Sequence, residues 1–330
     1  MSWFSTLCGF PEITPDQVRS NLVLRGETLT SIPNGRSWAC GCLEIPALAE
    51  LRQSVFGYAS APNTVRELVA NVRHLHTDLT NAGAFFQVAS QFNLLEMTSP
   101  SVAPERGIGI YEHDQTQGPA CAIACGAGTI YRNYLVPLVG QIGQTAELQI
   151  DCLADLGVAL GNDANRLWRM TNGYALPTRE ALEEIGQRLS SASERECDQL
   201  RQRLRIGIQW NTQVTLAESG HRVTQGYCSA LPVAYGRHPL ALWERFARLI
   251  LEAAYEATLC AAIRNANQTG NRTVFLTLLG GGAFGNAKDW IVAAIVRALD
   301  LYFNSGLDIA IVSYGASKPE VREIVVRYSG

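Results

Sequence analysis

The chain has 330 residues, 47% of them hydrophobic and 17% charged, with a formal net charge of −3. That length is ample for a continuous core. No run reaches the roughly 20 apolar residues of a membrane-spanning helix, and no basic stripe suited to a nucleic-acid polymer is present. The opening MSWFSTLCGF has neither a basic region nor a long apolar one, so it does not read as a signal peptide. The nine cysteines are odd in number and scattered, which fits reduced thiols in the cytoplasm. Cys40-Gly-Cys42 and the pair Cys121 and Cys125 lack partner pairs at zinc spacing. They read as buried small hydrophobes, with no metal or cofactor expected.

The first seventy residues read as a helical extension packed on a domain of residues 71–330. Thr14-Pro15-Asp16 starts a helix with Pro15 at its first position. Residues 46–51 and 64–68 open two more, the latter capped by Asn63 or Thr64. His74 and His76 follow a helix and read as surface residues. The period then changes. Residues 84–89, Ala-Phe-Phe-Gln-Val-Ala, form a short apolar run that reads as a buried strand, ending in the polar cluster Ser90, Gln91, Phe92 and Asn93. A long irregular segment, 96–117, carries Glu96, Glu105, Glu112, His113, Asp114 and Gln117. Loops of that length in compact domains are usually functional or disordered. Gly118-Pro119-Ala120 opens a helix running to about Tyr134.

Farther on, residues 148–160 and 179–205 read as helices, 206–210 and 223–228 as strands, and 240–267 as a long helix with an apolar face. On that helix Glu252 and Glu256 beside Arg248 suggest ion pairs on an exposed face. The C-terminal section has the clearest grammar. A strand at 273–279 runs into Gly280-Gly281-Gly282-Ala283-Phe284-Gly285-Asn286, followed by a helix at 287–304 and a strand at 307–314. A β–loop–α–β unit requires a crossover and a parallel sheet, so the expected fold is α/β, a mixed or parallel sheet flanked by helices.

Glycines at a strand-to-helix turn let backbone N–H groups approach a ligand, and the helix N-terminus favours phosphate. The loop matches no P-loop, and the acidic ribose residue of a dinucleotide fingerprint is missing. Gly118 and Pro119 offer a second small-residue helix start, so the two could clamp the two halves of a diphosphate. Carboxylates near a bound sugar can polarise water or stabilise an oxocarbenium-like transition state. Asp114, just before the Gly118 turn, is the first candidate, with Glu96 and Glu105 next.

The run VFLTLLGGGAFGN, followed by a helix and LDIAIVSYG, resembles the C-terminal half of macrodomains and of poly(ADP-ribose) glycohydrolases. The resemblance implies that residues Gly280 to Asn286 wrap phosphates and that Tyr314 lies by the distal ribose. FQVASQFNLLEM resembles the macrodomain strand that ends near the ribose, which implies roles for Gln91 and Asn93. GPACAIACGAGTIYRNYL takes the place of the other phosphate loop, which implies Gln117, Gly118, Pro119, Ala120 and Cys121. With HDQTQGPACAIACG, the combination looks most like a divergent macrodomain group related to a bacterial effector that removes ADP-ribose from arginine side chains. It departs from the glycohydrolase pattern in lacking Gln-Glu-Glu after a Gly-Gly-Gly run, and Ser-Gln-Phe-Asn stands where macrodomains carry an Asn-Ala-Ala-Asn-like end. The function implied is a hydrolase acting on ADP-ribosylated protein, with a non-catalytic reader of ADP-ribose as the alternative.

Overall fold

A computed structural model describes residues 2–329 of the chain. Its centre is a seven-stranded sheet built from β1 (Cys42–Glu44), β2 (Thr64–Val69), β3 (Phe85–Ala89), β4 (Gly207–Gln213), β5 (Arg222–Cys228), β6 (Thr273–Leu276) and β7 (Asp308–Ser313). The spatial order is β1-β4-β5-β3-β6-β7-β2. From β5 to β2 every neighbouring pair is parallel, whereas β4 runs antiparallel to both β5 and β1. The expected α/β architecture, a mostly parallel sheet flanked by helices, is therefore what forms. Parallel strands need both faces covered, and β3, buried along nearly its whole length, is such a strand.

One face is covered by α2 (Leu240–Thr269), against which α3 (Lys288–Leu301) packs; Gln87 of β3 donates to Thr258 of α2 at 2.9 Å. The opposite face carries α1 (Gln117–Ala124) and the short helix Val72–Thr77, where Phe86 stacks on His76 with ring centroids 3.8 Å apart. A second, smaller core joins Phe4, Phe10, Trp38, Tyr111 and Tyr134 beneath the N-terminal segment.

Several elements differ from the sequence reading. Helices do form at Trp3–Cys8, Pro15–Ser20 and Leu48–Ser54, but Leu22–Arg25, Thr28–Ser31 and Ser37–Ala39 make a small antiparallel sheet. The helix expected from Thr64 is instead edge strand β2, in register with β7 from Thr64 opposite Asp308 to Val69 opposite Ser313. Tertiary pairing overrides the local cap signal there. The long helix expected at 179–205 is two, Arg179–Ser191 and Glu194–Arg201, because Ser193 caps the second with a reciprocal Glu196 bond. At 148–160 only Ala154–Leu160 is helical.

His76 is fully buried rather than at the surface, and burial pushes its imidazole down to about 4. Its Nδ1 lies 2.8 Å from the Val72 carbonyl oxygen and its Nε2 lies 3.0 Å from the Gln225 amide nitrogen, a pairing that a neutral ring satisfies. Cys42 is exposed, because its strand is the sheet edge, so it is not the buried hydrophobe expected. Nor does Glu256 sit on an exposed face. It is 2% exposed and accepts from Arg52 at 2.5 and 2.8 Å and from Arg297 at 2.7 Å, while Arg248 pairs with Glu244 and Asp289. Glu256→Ala removes the buried acceptor of both arginines, but Arg52 keeps its pair with Asp198 and both arginines are part-exposed, so stability should fall by about 1–3 kcal/mol, measured by denaturant unfolding.

Candidate functional site

Beyond the carboxyl ends of β5, β3 and β6 lies a cleft of about 200 Å³, the place where open α/β sheets receive ligands. Its walls come from the turn after β3, the start of α1, the glycine loop after β6, and Tyr174 and Tyr235 from elsewhere in the chain.

The glycine loop is shaped by two residues with positive φ, Gly280 at 75° and Gly285 at 70°. A Cβ on Gly280 would stand 2.5 Å from the Ala230 Cβ, so packing as well as φ demands glycine there. Asn286 ties the loop shut: its backbone N–H donates to the Gly280 carbonyl at 2.9 Å, and its side-chain amide donates to the Leu231 carbonyl at 2.8 Å. Gly281 donates to Leu278 and Gly285 to Gly282. Among the described residues, no protein acceptor takes the N–H of Gly280, Gly282, Ala283 or Phe284. Consecutive free amides at a strand-to-helix turn form an anion-receptive nest. Gly282 lines the cleft, is exposed, and has no atom within 4 Å of where its Cβ would be, so a side chain there would meet open space.

Across the cleft, the start of α1 is held hard against β3. Gln117 substitutes for a strand neighbour, its Oε1 accepting from the Ala89 N–H at 2.9 Å and its Nε2 donating to the Gln87 carbonyl at 2.7 Å. At Gly118 a Cβ would fall 2.0 Å from the Ala89 carbonyl oxygen. The glycine is required by helix–strand contact and not by ligand approach. Gly118→Ala should therefore push α1 off the strand and lower stability by about 1–3 kcal/mol, as overpacking does, read as a drop in thermal midpoint.

The turn after β3 presents Glu96. Gln91 braces it, with its amide nitrogen donating to the Met97 carbonyl and its oxygen accepting from the Met97 N–H at 2.8 Å. Tyr174 donates to the same Met97 carbonyl at 2.7 Å, and Leu94 takes a left-handed φ of 64°. Glu96 lines the cleft yet is only 2% exposed, and neither of its carboxyl oxygens has a hydrogen-bond partner. Burial pushes the carboxyl from 4.5 up to about 8, against a lowering pull from Arg132 and from Tyr111. It is thus a protonated carboxyl at neutral pH, the state a general acid needs.

Asp114 also lines the cleft, half-buried, with its Oδ1 accepting from the Thr116 N–H at 2.8 Å. Pro119, Ala283 and Phe284 lie along the walls as well. Other residues singled out from the sequence stand elsewhere. Glu105 is exposed and accepts from the Ala146 N–H at 2.8 Å. Asn93 is fully buried, its amide nitrogen donating to Gln149 at 2.7 Å and its oxygen accepting from Leu95. Ala120 and Cys121 face the core of α1, and Gly281, Gly285 and Asn286 serve the loop's own geometry. Tyr314 is 69% exposed and does not line the cleft.

Sequence reasoning missed the aromatic end of the cleft, where Tyr174, Tyr235 and Phe284 meet with ring centroids 5.0–5.7 Å apart. A signal for Tyr174 was present: Asn172-Gly173, with φ of 47° and 80°, joins the strands Trp168–Thr171 and Tyr174–Pro177 as an Asn-Gly hairpin. Among the described residues no group of three or more His, Cys, Asp or Glu could hold a metal ion.

These features define an α/β protein with an anion-receptive cleft and a buried acid at the carboxyl edge of its parallel strands. No family model matches the chain, and no curated protein does. Among solved structures it is similar to the poly(ADP-ribose) glycohydrolase of Thermomonospora curvata bound to the inhibitor ADP-HPD, at 11% identity over 96% of each chain with a TM-score of 0.40. It is also similar to the poly(ADP-ribose) glycohydrolase of Deinococcus radiodurans in complex with ADP-ribose, at 10% identity over 87% of this chain and 93% of that one, with a TM-score of 0.45. Likeness at that distance assigns no residue, so the chemistry of the cleft rests on its own side chains.

Proposed function

We propose that this chain binds ADP-ribose in the cleft and hydrolyses the bond that joins the distal ribose to a protein side chain, an arginine nitrogen in the first instance. The observation that carries the proposal is that Glu96, whose buried carboxyl has no hydrogen-bond partner, lines the same cleft as Gly282, Ala283 and Phe284, whose amides have no protein acceptor among the described residues. The amides and the N-terminus of α1 receive the diphosphate. Glu96 gives its proton to the departing nitrogen as the C1–N bond breaks with its electron pair. Water then adds to C1, losing a proton to the Glu96 carboxylate, which restores the acid. Asp114 at the rim suits a guanidinium, because a carboxylate pairs with it bidentately. The nine free cysteines support a cytoplasmic setting, and no described helix is long and apolar enough to cross a membrane.

The experiment is incubation with arginine-, serine- and glutamate-linked ADP-ribosyl proteins and chromatography of the released ADP-ribose. Release from the arginine-linked substrate is expected to be fastest, since only that leaving group engages Asp114 as an ion pair. Binding of ADP-ribose without release from any linkage would define a reader instead.

A further inference from the structure

We propose that Arg132 is a positioning residue for the Glu96 carboxyl, its guanidinium propped on the Tyr227 ring at a distance that biases the acid's proton without capturing it. This role rests on Glu96 serving as the acid of the reaction above.

Arg132 is 0% exposed, and the carbon of its guanidinium lies 3.6 Å from the Tyr227 ring centroid. Its Nε donates to the Leu94 carbonyl at 3.1 Å and its Nη2 to the Thr129 hydroxyl at 3.1 Å, while Nη1 has no partner. Glu96 stands 3.9 Å from Nη2, beyond hydrogen-bond range, with both of its oxygens unpartnered. A buried cation and a buried carboxyl side by side would ordinarily close into a bidentate pair. Here three anchors prevent it: the Leu94 carbonyl, the Thr129 hydroxyl and the Tyr227 face. The ring is itself fixed, because the Tyr227 hydroxyl donates to Gln225, whose amide nitrogen donates to the Cys121 carbonyl and meets His76.

Separation has a chemical consequence. A direct pair would draw the proton off Glu96, and no cation at all would leave a buried carboxyl that holds its proton more tightly. The other groups facing Glu96 are Tyr111, Tyr227 and Cys121, and all three are kept neutral by burial, so Arg132 supplies the charge. Tyr111 contributes its hydroxyl, which accepts from the Glu96 backbone N–H at 3.0 Å.

The test follows the Glu96 carboxyl itself, by carbon-13 NMR of glutamate-labelled, ligand-free protein across pH, with Glu96→Gln assigning the resonance. Arg132→Met should raise the Glu96 midpoint by about one unit or more, as loss of a neighbouring opposite charge does. Tyr227→Leu removes one of the three anchors, lets the guanidinium shift toward Glu96 while its bonds to Leu94 and Thr129 remain, and should lower the midpoint. The two shifts have opposite signs, which a merely structural role would not produce. If Arg132→Met does not fold, Tyr227→Leu decides alone. An unmoved midpoint in a folded variant, or shifts of the same sign, would overturn the proposal. A moved midpoint in a protein that releases no ADP-ribose would leave the role standing and sink the reaction instead.

Discussion

Glu96→Gln is expected to lower the single-turnover rate of ADP-ribose release by about 10²–10⁴-fold, the usual contribution of a positioned general acid. Affinity for ADP-ribose should stay within about tenfold, because proton donation acts on the transition state more than on the bound ground state. The substitution preserves shape and removes only the proton, and Gln91 and Tyr174 continue to brace the turn through Met97. Stability supplies a second signature with a definite sign. The Glu96 carboxyl is pushed from 4.5 up to about 8, so between those values the native protein holds a proton that the unfolded chain has released. That contribution is present in full below pH 4.5 and is lost as pH rises through about 8. The wild-type protein should therefore lose stability relative to Glu96→Gln across that window, and turnover should fall above about pH 8 as the acid ionises. A parallel pair of stability curves together with undiminished turnover would remove Glu96 from the chemistry.

Gly282→Val is expected to abolish ADP-ribose binding while the protein stays folded. The residue has no positive φ and nothing within 4 Å of its Cβ position, so a larger side chain meets open space at the cleft lining and not neighbouring protein. Under the proposed function, what it fills is the space through which a phosphate would reach the amides of Gly282, Ala283 and Phe284. Gly280→Val makes the contrast. There φ is 75° and the Cβ meets Ala230 at 2.5 Å, so folding itself should suffer. Comparing thermal midpoints with ADP-ribose calorimetry separates the two, and a Gly282→Val protein that binds normally would mean that the phosphate lies elsewhere.

What the sequence disclosed follows from how local each requirement is. The β6–loop–α3 unit was legible because strand, glycines and amphipathic helix lie within about thirty residues and each carries its own pattern. Glu96 and Asp114 were recognisable as candidates, and both line the cleft, but the burial that sets Glu96 apart was not legible. That burial depends on the fold, which sets Glu96 beside Arg132 and bonds its backbone N–H to the Tyr111 hydroxyl, and no local pattern announces it. His76 was misplaced for the same reason, since its partner Gln225 lies about 150 residues away. Glu256 looked like one half of a surface pair until helix Leu48–Ser54 and α3 brought Arg52 and Arg297 to it. Strand β2 began with a cap-like Asn-Thr and became a strand through pairing with β7. Tyr235, in a short 3-10 turn, offered no pattern at all.

The central claim is that the cleft holds ADP-ribose, and titration calorimetry of the intact protein tests it most directly. One equivalent of ADP-ribose should bind with measurable heat and raise the melting temperature, and Gly282→Val should erase both effects. Heat from another nucleotide with none from ADP-ribose, or undiminished binding by Gly282→Val, would contradict it.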